Sequence, residues 1–490
     1  MSWKNIDHVV VLMQENLSFD RVFGWMGPGE GEGVPPGLRF PVSDPLFPPG
    51  TVLTPSEGAS LIPPGAAHLP WDMVEGLFSA PNGGGALSVM LKRAHKTDGI
   101  DDDGRRELVR EVLRYLGRDD LPVYRDLVTH FAVADHWFSP IASSTWPNRY
   151  FMHLGDSPTG GVPLPQLGAS QRTIFDRLND AGLTWRLYVD GPATLITSRS
   201  MVRVARETRR RAIAMGVAEA DASPIRSFDR FLCDVSCSST AAWPAGLRPP
   251  EGMVPDGVVP LPTYTFIEPR HWPSKDRPAN NDHHHTHMHE GQRLVASIYN
   301  ALRADPARWA RTLFVITYDE HGGYWDHVDP PPAVDPKTGV LGVAPSQGAT
   351  DWRGGRVPAV LVSPWIRPGP YSAVLDHTSV LAFLERRFDL PPLSQRDAHA
   401  DDLTAAFGDT LRLGPERIEP PPAPPLVAKT GNLERDFTEM ALDLYRDLGG
   451  LFGADVDREL ATLSSVEIAD RGEERARATL RALSGGDPRV

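Results

Sequence analysis

Seven consecutive uncharged residues, Thr312 to Tyr318 (TLFVITY), run straight into Asp319, Glu320, His321, Gly322 and Gly323. The run is short, β-branched and aromatic, so it predicts a strand covered on both faces. Strands of that kind belong to parallel sheets packed between helices. The acids then stand at the strand's carboxyl end, where open α/β sheets hold their ligands. The start of the chain repeats the pattern: residues 6–13 predict a first buried strand, with Glu15 and Asn16 just beyond it. Further strands are expected near 131–134, 261–268 and 357–363, and helices at 104–117, 121–130, 197–216 and 290–304. Strands alternating with helices predict an α/β fold.

The remainder of the chain bounds the function. With 44 glycines and 48 prolines in 490 residues, it suits a loop-heavy enzyme better than a helical bundle. The stretch 27–65 is expected to be a long surface excursion. A net charge of −13 argues against a nucleic-acid groove. No apolar stretch approaches the roughly 20 residues a membrane span needs. Residues 9–13 are flanked by Asp7 and Glu15, unlike a secretory leader, so the chain is expected to be cytoplasmic unless a leader has been removed. Cys233 and Cys237 are the only cysteines, which excludes a disulfide framework; they read as buried thiols or as one pair. The prolines of 415–425 predict an extended linker. It separates a main domain at 1–414 from a C-terminal helical segment at 426–490, with amphipathic helices near 432–449 and 466–484. The arginine-rich helix at 197–216 is either a solvated surface or a lid that meets anionic headgroups.

Three polar clusters carry the chemistry. Asp319 and Glu320 can converge in a glycine-supported turn, and two anions held together call for a cation. Glu15 and Asn16 would add a carboxylate and an amide oxygen, although a strand-end acid can also be a plain helix cap. In Ser143-Ser144-Thr145-Trp146-Pro147-Asn148-Arg149, a hydroxyl before the proline turn is either a cap or, beside a metal, a nucleophile. Asn148 is placed to donate to a phosphoryl oxygen. The histidines of NDHHHTHMHEG (His283, His284, His285, His287, His289) form either a metal tract or a surface loop, and one could protonate a leaving alkoxide. His321 and His327 read at least as well as loop braces as they do as substrate contacts, and a helix N-terminus explains Asp376 and His377 nearly as well as a functional motif does.

In that setting IDHVVVLMQENLSFDRVFGWM, SSTWPNRYF, NDHHHTHMHEGQ, TYDEHGGYWDHVDPP and LDHTSVLAFLERRF resemble, in order over roughly 5–390, the phosphoesterase family of non-specific phospholipases C and related acid phosphatases. The resemblance implies an alkaline phosphatase-like central sheet with helices on both faces. It implies a divalent metal (zinc, calcium, magnesium or manganese) on Glu15, Asn16, Thr145, Asp319 and Glu320. It implies Thr145 as the nucleophile, forming a phosphothreonine, and His283 and His68 as the family's histidines. Thr145 leans toward a phosphodiesterase acting on a phospholipid-like ester, and Ser144 beside it leaves a phosphomonoesterase open. The sequence departs from the family at Leu17, commonly Arg, and at His284, usually Pro. The leader and C-terminal β-modules of bacterial phospholipases in the group are not seen. A sulfatase is disfavoured, since its Cys/Ser-x-Pro-x-Arg motif begins here with Thr145. A non-catalytic protein on the same fold is disfavoured because each residue the chemistry needs is present.

Overall fold

The computed structural model describes residues 1–425, apart from 67–69, 98, 162–170, 192–198, 218–221, 237–260, 272, 274–276 and 347. His68, Cys237, the side chain of Cys233 and the whole segment 426–490 lie outside the described residues.

Eight strands form one sheet: β1 (His8–Gln14), β2 (Ala132–Val133), β3 (Trp185–Val189), β4 (Ile225–Ser227), β5 (Tyr264–Glu268), β6 (Thr312–Tyr318), β7 (Ala359–Val362) and β8 (Gly369–Pro370). Their order across the sheet is β8-β2-β7-β6-β1-β5-β3-β4. From β6 to β4 all neighbours are parallel, with His8 opposite Thr312 and Val9 opposite Tyr264. Strand β7 runs antiparallel to β6 and to β2, so the sheet is mixed. All seven residues of β6 are buried, and six of the seven in β1. Cover on both faces explains why neither strand alternates apolar with polar residues. Pro370, which has no N–H for a ladder, sits on the edge strand. The α/β expectation is borne out.

Six helices matter below: α1 (Phe19–Phe23), α2 (Thr145–Leu154), α3 (Ile174–Asp180), α4 (Arg199–Ala214), α5 (Met288–Arg303) and α6 (Thr378–Phe388). Helix α2 stops at Gly155, whose φ of 69° is the left-handed conformation that ends helices. One helix is shorter than its periodicity implies. The apolar spacing over 104–117 continues past Glu111, yet the helix runs only Asp102–Glu111, and Arg114–Tyr115 pairs instead with Ser56–Glu57. Buried Arg21 accounts for the stop. Its Nη1 donates to the carbonyls of Glu111 (2.9 Å) and Arg114 (3.3 Å), and its Nη2 pairs with the Glu111 carboxylate at 2.7 Å. Those carbonyls are drawn away from a continuing helix. In the excursion 27–65, Val42, Leu46 and Phe47 are buried in the core, which ties the loop down.

The proline segment lies along α5. Tyr299 Oη donates to Pro415 O, Arg293 Nη1 to Pro421 O, and Asn300 exchanges two hydrogen bonds with Ile418, itself buried.

Candidate active site

Strands β5, β1 and β6 are adjacent and parallel, so their carboxyl ends share one rim of the sheet. Glu268 is the last residue of β5, Glu15 follows β1, and Asp319 and Glu320 follow β6. All four acids are fully buried. Bare carboxylates at that depth are strongly unfavourable unless they are paired.

Arg149 supplies much of the pairing. It projects from α2, one turn beyond Thr145, and is fully buried. Its Nε donates to Asp319 Oδ2 at 3.0 Å, Nη1 to Glu268 Oε2 at 2.9 Å and Nη2 to Glu15 Oε1 at 3.2 Å. A planar guanidinium spreads five donors in a rigid fork, which lets it reach acids from three strands at once. His271 is the second cation: its Nδ1 lies 3.0 Å from Glu15 Oε1 and its Nε2 3.1 Å from Glu268 Oε2. Burial pulls the imidazole's pKa down, but the two carboxylates more than reverse this and push it up to about 9. Burial raises Glu15 too, but His271 and Arg149 hold it well below the usual carboxylate range. Asn281 Nδ2 donates to Glu15 Oε2 at 2.7 Å.

Asn16 turns the chain off β1 in the left-handed conformation, at a φ of 59°. Its N–H donates to Asp319 Oδ1 at 3.1 Å, and the Glu320 N–H joins it at 2.8 Å. Its side-chain Oδ1 accepts a long bond of 3.5 Å from Thr145 Oγ1. Thr145 is the first residue of α2 and half-buried; the N-cap is Ser144, whose side chain makes no capping bond. The capping alternative for this hydroxyl pair is therefore not what the structure shows. Behind the acids, His377 accepts from Trp137 Nε1 on Nδ1 (3.2 Å) and so donates from Nε2 to the Asp319 carbonyl (2.8 Å). Burial pushes its pKa down to about 4, which keeps it neutral for that role.

The acid pair carries strain of its own. Burial raises Asp319, and Arg149 only partly offsets this against the charge of Glu15. Glu320 is pushed well above its ordinary range by burial and then by Asp319 beside it. One of its oxygens, Oε2, accepts from the Gly322 N–H, while Oε1 is buried with no hydrogen-bond partner. Arg149 and His271 thus pair three of the four acids, and among the described residues Glu320 has only the His321 imidazole as a basic group near it, with Nδ1 at 3.7 Å. A carboxylate oxygen without a donor, an amide oxygen and a hydroxyl among buried acids make a donor set that fits a hard divalent cation.

Other expected residues fall differently. Asn148 is fully buried, and its amide is spent on its own loop: Nδ2 donates to Ser143 O (2.7 Å) and Ser144 O (3.1 Å), and Oδ1 accepts from Ile141 N (3.0 Å). It shapes the turn that presents Thr145, which corrects the expectation that it donates to a phosphoryl oxygen. His283 is buried and close enough for its charge to act on Glu15. His284 is fully buried edge-on to Tyr324, with ring centres 5.4 Å apart. His287 is the N-cap of α5, its side chain accepting from His289 N. The run is thus divided between the site and a helix start.

Among the described residues, one set of three metal-ligating side chains has donor atoms within 4.8 Å of one another: Asp20, Asp326 and His327. A cation is already present there. Arg356 Nη2 donates to Asp20 Oδ1 at 2.9 Å and its Nε to Asp326 Oδ1 at 3.1 Å, while the N–H groups of Asp20, His327 and Val328 fill other acceptors. That arrangement braces α1 against the 326–328 loop. Asp376 is held likewise by Arg353 and Arg396, and accepts from Thr378 N at the start of α6. A small pocket lined by Leu77, Ala86, Val89, His321 and Tyr324 does not include Thr145.

Sequence reasoning missed Arg149, Glu268, His271 and Asn281 as site residues. Glu268 was visible as a strand-end acid, and His271 three residues later was the remaining signal.

The sequence profile of the phosphoesterase family matches residues 6–391. Non-specific phospholipase C3 of Arabidopsis thaliana is 31% identical over 83% of this chain and 74% of its own length. The non-hemolytic phospholipase C of Burkholderia pseudomallei is 28% identical over 82% of this chain and 59% of its own. Phospholipase C A of Mycobacterium tuberculosis is 26% identical over 82% and 77%. Among solved structures, the sulfatase PsFucS1 from Pseudoalteromonas sp. aligns over 83% of this chain and 73% of that one, at 10% identity and a TM-score of 0.36. A protein of the alkaline phosphatase superfamily from Vibrio parahaemolyticus aligns over 58% and 64%, at 12% identity and a TM-score of 0.31. On the profile match and the relatives above 30% identity, this chain belongs to the phosphoesterase family.

Proposed function

We propose that the chain is a metal-dependent phosphodiesterase of the phospholipase C kind, with Thr145 Oγ1 as its nucleophile. The observation that carries the reading is the position of that hydroxyl. It opens α2 half-exposed, bonds to Asn16 Oδ1, and shares a rim with the acids after β1, β5 and β6. The relatives named above are phospholipases C, which supports a phospholipid as the substrate class.

Thr145 Oγ1 gives its proton to solvent, and regains one when it later leaves; its attack forms a bond to phosphorus and breaks the bond to the leaving alcohol, giving a phosphothreonine. The alcohol leaves with a proton, for which His283 is the donor. Water then cleaves the phosphothreonine, giving up its proton to the same imidazole. Arg149 and His271 fix Glu15 and Asp319 in place, and Asn148 fixes the turn below the hydroxyl. When bound by Glu15, Asn16, Thr145, Asp319 and Glu320, a divalent cation supplies hydroxyl acidity and neutralises developing charge.

The test strips the full chain of metal, then re-supplies zinc, calcium, magnesium or manganese in turn. Rates are compared on p-nitrophenylphosphorylcholine and p-nitrophenyl phosphate. The expected result is metal-restored turnover that favours the diester, lost roughly a thousandfold or more in Thr145→Ala and partly kept in Thr145→Ser. Near-normal turnover by Thr145→Ala removes the nucleophile assignment. A preference for the monoester makes the chain a phosphatase.

A further inference from the structure

Helix α4 carries two unlike faces. Met201, Val204 and Ala205 are buried, and Arg203 is clamped by Asp176 of α3 at 2.7 and 2.9 Å. Asn179 of α3 adds a bond to Thr208 at 2.8 Å. Helix α3 packs in turn on α2, which presents Thr145. The opposite face points to solvent. Arg206, Arg210 and Ile213 follow one another at spacings of four and three, a single stripe on the helix, and Met215 and Val217 stand just past its end. Ile213 is 39% exposed, Val217 41% and neighbouring Met215 84%. Arg206 and Arg210 form no ion pair among the described residues, whereas Arg211 is paired with Glu207.

The tip is ordered in shape. Gly216 has a φ of 89°, and Val217 N donates back to Ala212 O at 3.0 Å. This is the tight glycine stop of a helix end, and it holds Met215 and Val217 outward. A surface with free arginines beside exposed aliphatic and thioether side chains suits one class of partner. Anionic headgroups take the guanidinium charge while the apolar tips enter the acyl boundary. A protein partner is the poorer fit, because a stable interface needs roughly 20–30 residues a side and this stripe offers a handful. The net charge of −13 does not forbid the contact. Charges beyond a Debye length of about 8 Å are largely screened, so the local sign decides. The only acid between 199 and 217 is Glu207, already between Arg203 and Arg211.

We infer that the exposed face and tip of α4 dock the protein on an anionic phospholipid surface. The inference rests on the phospholipid reading above for its purpose, though its test does not need turnover. Purified full-length chain is floated with vesicles of phosphatidylcholine alone and of phosphatidylcholine mixed with phosphatidylserine, at low and high salt. The expected result is binding to the mixed vesicles that weakens with salt. Arg206→Gln with Arg210→Gln should weaken it roughly 30-fold, at about one charge contribution each. Met215→Ser should weaken it further. Turnover of soluble p-nitrophenylphosphorylcholine should be unchanged in both variants, since neither touches the site. Absent binding, equal binding to both vesicles, or a double variant that floats like the parent overturns the docking surface. Serine-lipid binding by a chain that cleaves no phosphodiester leaves the surface standing and removes the proposed function instead.

Discussion

Gly322 and Asn16 meet back to back across the site, both in the left-handed conformation. A Cβ added at Gly322 would lie 2.0 Å from the Asn16 carbonyl oxygen, and its φ of +67° is itself unfavourable for any other residue. Backbone cannot swing aside as a side chain can, so Gly322→Ala should move Asn16 and cost at least about 1–2 kcal/mol from the dihedral alone. Urea unfolding together with turnover checks it: both should fall, and unchanged turnover would mean that Asn16 need not stay put. A second residue responds to pH. Glu385 in α6 is pushed up from its ordinary 4.5 to about 9, first by burial and then by Asp397 beside it. A raised acid is protonated in the folded chain and ionised in the unfolded one through that window. Its stabilisation is complete below about pH 4.5 and is lost as pH climbs toward about 9. Glu385→Gln removes that loss. Its melting temperature should exceed the parent's near pH 8, by a margin that shrinks toward pH 5; a pH-independent margin refutes the assignment.

At the level of single elements, α2 joins chemistry to stability through Arg149. Removing one partner of a buried ion pair leaves the others uncompensated, typically at roughly 3–5 kcal/mol. Arg149→Met should lower the unfolding free energy, measured by denaturant titration, by an amount in that range. Adding Glu268→Gln to it should recover part of the loss, because one stranded charge is gone. Full additivity of the two changes would show that the pair is not coupled. Arg149 also shows where reading a sequence stops. Strands β1 and β6 are legible because burial on both faces leaves uninterrupted apolar runs, and the acids after them are legible by position. The partners of Arg149 are not, since they come from three strands brought together only by the sheet. The same holds for the early end of the helix at Glu111: the periodicity beyond it is genuine, and only buried Arg21, from α1, overrules it. Asn148 was legible as a polar residue near Thr145, but its role depends on which carbonyls the turn points inward.

For the molecule as a whole, the proposed metal site would couple cation binding to folding. A cation that binds only the folded chain stabilises it by mass action, about 2.7 kcal/mol at a hundredfold excess over its Kd. Chelation should therefore lower the melting temperature, and re-addition should restore it in a concentration-dependent way. Thr145→Ala, which keeps the carboxylates, should retain most of that shift, so the thermal readout is independent of catalysis. A melting temperature indifferent to every divalent ion would remove the metal from the proposal.

The pairing of β1 has a consequence for how the chain is made. This strand is made roughly 250–300 residues before its neighbours, which begin at residues 264 and 312. At 5–20 residues per second, the wait for them is roughly 15–60 s. Throughout that interval a strand with five consecutive apolar residues, Val9 to Met13, has neither neighbour to pair with. The rim that gathers Glu15, Glu268 and Asp319 comes into being only when β6, made last of the three strands, slots in beside β1.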